Sequence, residues 1–297
     1  MENKERYFSI ANRLFWILII IIIVFSILKF NPGIFKSKNL AKDIIRNDSL
    51  SKVDWDEKLV DVDSSKIKRD TSTEKVNYIN KTWKWNDFKG RSYVMDFKIK
   101  KNDYESSTRL RSNSNKTDGD LYYEMYANDN KLLEDMINSY KRIIQSRGLN
   151  YMESMQMIVT SIQSIPYVLV SIGKCPESKR GLKYVADCIP HTDPSSCCSF
   201  VLPYGVYSPV EFAVQRTADC DTRSLFAYTI LKKLGFDVAI INNTTHSVLG
   251  VNIPKIPGDG KTGSIGMAKK YYLWELTVYG PELGQNKDGN DWEIALN

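Results

Sequence analysis

The sequence predicts an α+β fold. Three observations carry it: segments of helical periodicity over residues 130–147 and 150–165, a further helix opening at Cys220, and successive strands over 236–241, 246–253 and 271–278. Helices first, then one helix and strands close enough to pair antiparallel, is the order of an α+β domain and not of repeated βαβ units. The chain has 297 residues, 42% of them hydrophobic and 26% charged, enough to bury a core in one large domain or two small ones.

From the N-terminus, residues 1–13 make a short tail that the topology below would leave in the cytoplasm. Residues 14–30 read as a membrane anchor, because the run from Leu14 to Leu28 carries no charge and Phe30 and a snorkelling Lys29 extend it. A cleaved signal peptide is the competing reading, but the following Asn31-Pro32-Gly33 is not a small-x-small cleavage site. Lys4, Arg6 and Arg13 on one flank face Lys29, Lys36, Lys38 and Lys42 on the other, so positive charge leaves the orientation open. Residues 31–76, rich in Lys, Asp and Ser, read as a linker with one helical piece near 40–45. The net charge of +6 is spread over lysine-rich segments, and no basic-aromatic array argues for nucleic acid.

Residues 77–126 read as a β-rich segment. Tyr93, Met95, Phe97 and Ile99 alternate onto one face, and Lys89-Gly90 marks a turn after Trp83-Lys84-Trp85, which predicts a hairpin extended towards Tyr104. A polar loop over 113–120 and a short strand over 121–126 complete that segment. The main domain is then 127–297. Its first helix carries Leu132, Leu133, Met136, Ile137, Tyr140, Ile143 and Ile144 and stops at Gly148; its second carries Met152, Met155, Ile158, Val159 and Ile162 and stops at Pro166. A cysteine-rich loop over 173–200 and an approach segment over 202–211 lead to the third helix. There Phe226, Ala227, Ile230, Leu231 and Leu234 recur at helical spacing, Thr217 or Asp219 can cap the start, and Gly235 ends it.

Four of the five cysteines, Cys175, Cys188, Cys197 and Cys198, fall in the one loop, and the fifth is Cys220. Four plus one predicts two disulfides and one free thiol, in a body held outside the reducing cytoplasm. Adjacent Cys197 and Cys198 would reach back to Cys175 and Cys188, in an order the sequence leaves open. A four-cysteine zinc site is the rival, disfavoured because no C-x-x-C pair is present, and unpaired structural thiols are a third reading. No metal or organic cofactor is expected.

Cys220 stands in the first turn of an apolar helix, where unpaired N–H groups and the positive dipole end favour a thiolate. Asp219 and Asp221 oppose that, since negative charge raises a thiol pKa. A base is needed, and the chain has two imidazoles, His191 between Pro190 and Pro194 in the loop and His246 at the head of a strand. Glu275, set among Tyr271-Tyr272-Leu273-Trp274 and Leu276, would be costly unpaired, and a hydrogen bond to an imidazole would answer that cost.

The segment Ala218-Asp219-Cys220-Asp221-Thr222-Arg223-Ser224-Leu225-Phe226, then Leu234-Gly235-Phe236-Asp237-Val238, His246-Ser247-Val248-Leu249-Gly250-Val251 and Tyr272-Leu273-Trp274-Glu275-Leu276-Thr277, resembles the bacterial transglutaminase-like cysteine peptidase superfamily. Ile165-Pro166-Tyr167 and Ser208-Pro209-Val210-Glu211 are also similar to segments that precede the cysteine there, so the likeness spans roughly 132–284. The resemblance implies a papain-like, transglutaminase-like core, with Cys220 as nucleophile, His246 as general base and then acid, and Glu275 as orienting carboxylate. One oxyanion donor would be the Cys220 backbone N–H, with Gln163 or Tyr167 offering the second. Ala218 replaces the usual glycine, and Glu275 stands where aspartate is commoner. The implied activity is amide hydrolysis on a protein or peptide, or transamidation by an amine; the anchor and the cysteine usage add a single pass through a bacterial cytoplasmic membrane with the catalytic domain outside. A non-catalytic module on the same fold is the reading from another class.

Overall fold

The hairpin that period-two alternation predicts is the first element of the computed structural model, which describes residues 76–172, 198–253, 267–268, 270–281, 283–284 and 291–297. Strand β1 (Tyr78–Asn86) pairs antiparallel with β2 (Ser92–Lys100), setting Trp83 opposite Met95 and Trp85 opposite Tyr93. Every second residue is therefore on the buried face, and Trp83, Trp85, Tyr93, Met95, Phe97 and Ile99 are all in the core. The turn is held by Asp87, whose Oδ1 accepts from the backbone N–H groups of Lys89 and Arg91, each at 2.9 Å. Gly90 takes φ +74° there, a conformation that suits glycine.

The next segment corrects the sequence reading. The hairpin does not run on to Tyr104; helix α1 (Lys101–Asn113) begins directly after β2. The strand expected over 121–126 is the middle of helix α2 (Asp118–Leu132), which runs across the boundary drawn between 126 and 127. Leu121, Tyr122, Met125 and Asp129 are its buried residues, a helical spacing that a six-residue apolar window cannot distinguish from a strand. The helix expected over 130–147 is divided at Leu133, and α3 (Glu134–Arg147) ends as expected at Gly148, with φ +58°. Helix α4 (Tyr151–Gln163) opens with a capping box between Asn150 and Glu153 and runs out before Pro166.

Two short strands that the sequence reading did not separate from their loops, β3 (Leu169–Ser171) and β4 (Cys198–Phe200), pair in parallel. The approach segment contains a helix, α5 (Pro209–Gln215), with Ser208 and Glu211 forming a capping box and Pro209 in the first turn. Glu211 also takes a bidentate pair from Arg111 of α1, with Nε to Oε2 at 2.6 Å, and the same guanidinium reaches the Leu202 carbonyl at 2.6 Å. Beside it, Ser107 donates to Asp129 and meets the Ser208 hydroxyl at 2.6 Å, while Asp129 accepts from the Val210 N–H at 2.9 Å. Thus α1, α2 and α5 meet through buried polar groups that are each answered, as burial requires.

Helix α6 (Cys220–Lys233) follows, and Gly235 ends it at φ +87°. The C-terminal sheet then forms from β5 (Val238–Asn242), β6 (Ser247–Val251), β7 (Met267–Ala268), β8 (Tyr271–Trp274) and β9 (Glu293–Leu296), in the order β7-β8-β6-β5-β9 with every pairing antiparallel. Helix α6 lies against β5 and β6. Gly250 allows the close packing of the sheet centre: a Cβ there would come within 2.7 Å of the Ile241 side chain and 3.0 Å of Tyr271. The described residues thus form a mixed α/β fold of six helices with mainly antiparallel sheets. Trp83 joins its halves, packing against Phe97, Phe212 of α5 and Phe226 of α6 at centroid distances of 5.6, 5.9 and 5.8 Å.

No helix among the described residues is long and apolar enough to cross a membrane; the expected anchor at 14–30 lies outside them. Cys175, Cys188, Cys197, the side chain of Cys198 and His191 lie outside them too, so the disulfides expected there are not among the described contacts. Cys220 is a buried free thiol.

Candidate functional site

Helix α6 presents Cys220 as its first residue because Asp219 caps it. Asp219 Oδ1 accepts from the Thr222 N–H at 3.3 Å, and Oδ2 accepts from the Val170 N–H at 3.2 Å. The second contact docks the chain after α4 against the helix start. There the Val168 N–H also donates to the Ala218 carbonyl at 3.0 Å, and Tyr167 bridges Ala218. Thr222 completes the seat by accepting from the Tyr207 N–H at 3.1 Å.

His246 stands one residue before β6, at the end of the turn from β5. Asn243 shapes that turn, its Oδ1 accepting from the N–H groups of Thr245 at 2.9 Å and His246 at 2.8 Å. Glu275 stands one residue after β8, not inside a strand as expected. The β6–β8 register sets Leu249 opposite Trp274; continued one step, it sets Val248 opposite Glu275, so Glu275 and His246 are diagonal neighbours on one face. That diagonal is a long reach, and the longer acid spans it: His246 Nε2 and Glu275 Oε2 are 2.7 Å apart.

The other oxygen of Glu275 is fully occupied. Oε1 accepts from the Leu276 N–H at 2.8 Å, the Thr277 N–H at 2.8 Å and the Thr277 hydroxyl at 2.6 Å. Burial alone would push this carboxyl up, but the hydrogen bond and charge of His246, with the Thr277 donors, outweigh it and hold Glu275 below its ordinary value. Cys220 approaches the same corner, since the N–H of Ser247, the residue after His246, bears on its sulfur as a hydrogen-bond donor. Of the expected trio, His246 and Glu275 are in direct contact at the start of β6 and the end of β8, and Cys220 at the start of α6 is linked to them through the Ser247 N–H.

The thiol itself is held protonated. Burial pushes Cys220 well up, the charges of Asp221 and Asp219 add to it, and the N–H groups of Ser247 and Asp221 only partly offset them. Both carboxyls are raised in turn by burial, Asp219 also by Asp221. Asp221→Asn is accordingly expected to speed alkylation of Cys220 at pH 8, with the gain shrinking as pH falls and Asp221 of the native protein takes up its own proton. Iodoacetamide kinetics followed by mass spectrometry check this, and an unchanged or slower rate at pH 8 removes the electrostatic account.

The two residues offered for the oxyanion differ in setting. Gln163 Nε2 donates to the carbonyls of Glu275 at 2.7 Å and Pro281 at 3.2 Å, so its amide hydrogens are directed at the acid-bearing segment. Tyr167 lies within electrostatic reach of Cys220, which together with burial raises its phenol. Three further residues were not singled out by the sequence reading. Tyr122 donates to Asp221 Oδ1 at 3.0 Å, and no signal marked it because its helix was read as a strand. Ser247 contributes through its backbone, which carries no sequence signal at all. Arg223 carried a signal that went unread: it falls on the buried stripe of Phe226, Ala227 and Ile230, where a charge is out of place. Among the described residues, no group of three or more His, Cys, Asp or Glu side chains is placed to hold a metal ion. No family model matches the chain, and no curated protein or solved structure matches it.

Proposed function

We propose that the protein is a thiol acyl-transfer enzyme on a papain-like, transglutaminase-like core, resembling the bacterial transglutaminase-like cysteine peptidases. The observation that carries the reading is the 2.7 Å contact of His246 Nε2 with Glu275 Oε2, beside the helix start that bears a free cysteine. Because Nε2 is committed to the carboxylate, Nδ1 is the nitrogen that takes the thiol proton. The sulfur then attacks an amide carbonyl, the C–N bond breaks as Nδ1–H protonates the leaving amine, and a thioester remains. Water, deprotonated by the same nitrogen, releases the acid in hydrolysis; a primary amine in its place gives transamidation. The Cys220 backbone N–H is one of the unpaired donors of the first helical turn and is available to the oxyanion, with the Tyr167 hydroxyl as the companion candidate. A protonated resting thiol suits such a site, since proton transfer to His246 is then coupled to attack. The substrate is a protein or peptide, met outside the cytoplasmic membrane to which residues 14–30 anchor the chain.

The competing reading, a binding module that keeps the fold, draws on one observation: burial and two acidic neighbours disfavour the thiolate. Alkylation separates the two. Alkylation of native Cys220 by iodoacetamide at pH 7 is expected to depend on the imidazole, with His246→Ala slowing it at least about tenfold. Equal rates for the native protein and the His246 variant overturn the enzyme reading. Once turnover is seen, incorporation of a labelled primary amine distinguishes transamidation from hydrolysis.

A further inference from the structure

We propose that Arg223 is a positioning residue of this site, its guanidinium fixing the nucleophile-bearing start of α6 relative to the acid-bearing end of β8 through their backbone carbonyls. The functional meaning of that geometry rests on the acyl-transfer reading above; the geometry itself does not. Arg223 is completely buried, and its hydrogen bonds go to four carbonyls from three parts of the chain. It reaches Ala218, two residues before Cys220, at 3.4 Å, and Leu276, the residue after Glu275, at 2.8 Å. It also reaches Ile162 at 3.4 Å, in the last turn of α4, and Ile165 at 2.6 Å, two residues beyond that helix. Its guanidinium carbon sits 5.6 Å from the centre of the Tyr167 ring.

None of those four acceptors is a carboxylate. An apolar side chain at this stripe position would fill the space without taking a charge out of water, so packing alone does not account for an arginine here. What an apolar side chain cannot supply is a rigid fork of donors that addresses several carbonyls at once. The contact with Leu276 is the telling one. The Leu276 N–H binds Glu275 Oε1 while the Leu276 carbonyl binds Arg223, so one peptide segment transmits the position of the arginine to the carboxylate. Gln163 holds the same segment through the Glu275 and Pro281 carbonyls. Arg223 therefore acts through other residues and need not touch substrate.

The test uses the full chain with Arg223→Met and Arg223→Lys, each alone and combined with Glu275→Gln. Three readouts are taken: the thermal midpoint, the rate of Cys220 alkylation against pH, and the His246 imidazole titration by NMR, assigned with His191→Gln since the chain has 2 histidines. Arg223→Met is expected to slow alkylation at pH 7 at least about tenfold, as a small misplacement of reacting groups would. In that background Glu275→Gln is expected to add less than about twofold, because the acid is already uncoupled. Lysine, a point charge with three donors, is expected to fall between wild type and methionine, and it carries the test if the methionine variant does not fold. A full additional effect of Glu275→Gln in the Arg223 variants overturns the proposal. If native Cys220 shows no His246-dependent activation, the acyl-transfer reading fails on its own. The His246 midpoint then still decides: a shift on replacing Arg223 supports the positioning role, and an unchanged midpoint overturns it.

Discussion

Replacing Arg111 by methionine is expected to lower the free energy of unfolding by about 3–5 kcal/mol, because it leaves Glu211 as an uncompensated buried charge. The two side chains are 5% and 1% exposed, and the pair is bidentate at 2.6 and 3.0 Å. Neither partner can be answered by water if the other is removed. The loss would extend beyond the pair, since Glu211 Oε2 also accepts from the Ser208 N–H at 2.9 Å in the box that starts α5. Urea unfolding checks it, with the midpoint falling and the slope unchanged. The double variant Arg111→Met with Glu211→Gln should recover a large part of the loss, since glutamine still serves the cap and carries no charge. A shift below about 1 kcal/mol for the single variant would put the pair in the class of exposed ion pairs and refute its role as a buried joint.

The second large effect is on chemistry. Glu275→Gln is expected to reduce turnover by about 10²–10⁴-fold. The direction follows from occupancy. Three donors converge on Oε1, so the single carbonyl oxygen of glutamine must take that place. Its NH₂ then faces His246 and makes Nε2 the acceptor, which moves the ring proton to Nδ1, where it blocks proton uptake from the thiol. Peptide-amide hydrolysis and the alkylation rate of Cys220 at pH 7 measure it. A Gln variant within about twofold of wild type would remove Glu275 from the mechanism. The pH dependence has a definite sign. Glu275 is held below its ordinary value, so the stability drawn from the His246–Glu275 pair is present above the normal carboxylate range and lost as pH falls through the depressed value.

Apolar periodicity was legible wherever apolar residues do the packing. It marked the hairpin, the bodies of α3 and α4, the whole of α6 and the two strands that flank His246. It failed over 101–126 for a physical reason. The inward residues of α1 are Ser107 and Arg111, and α2 buries Asp129 beside Leu121 and Met125, so these helices dock through hydrogen bonds that no hydrophobicity pattern registers. Helix α5 escaped for a related cause, because its boundary is a capping box, and Ser208 and Glu211 were seen only as part of a resemblance. Of the site, Cys220, His246 and Glu275 could be named from side-chain chemistry and order along the chain. The Ser247 N–H and the carbonyls that Arg223 grips are main-chain groups, identical at every position, and only the folded register selects them.

The hairpin turn reaches across to the stretch that follows Glu275. The Tyr279 hydroxyl donates to the carbonyls of Asn86 at 3.3 Å and Asp87 at 3.2 Å, and the Phe88 ring meets Tyr279 at 5.7 Å. Together with Trp83 wedged between Phe212 and Phe226, this makes the hairpin part of the mould in which the acid is cast. A shortened protein that kept only the later helices and the sheet would lose that clasp and leave Phe212 and Phe226 without the indole that covers them.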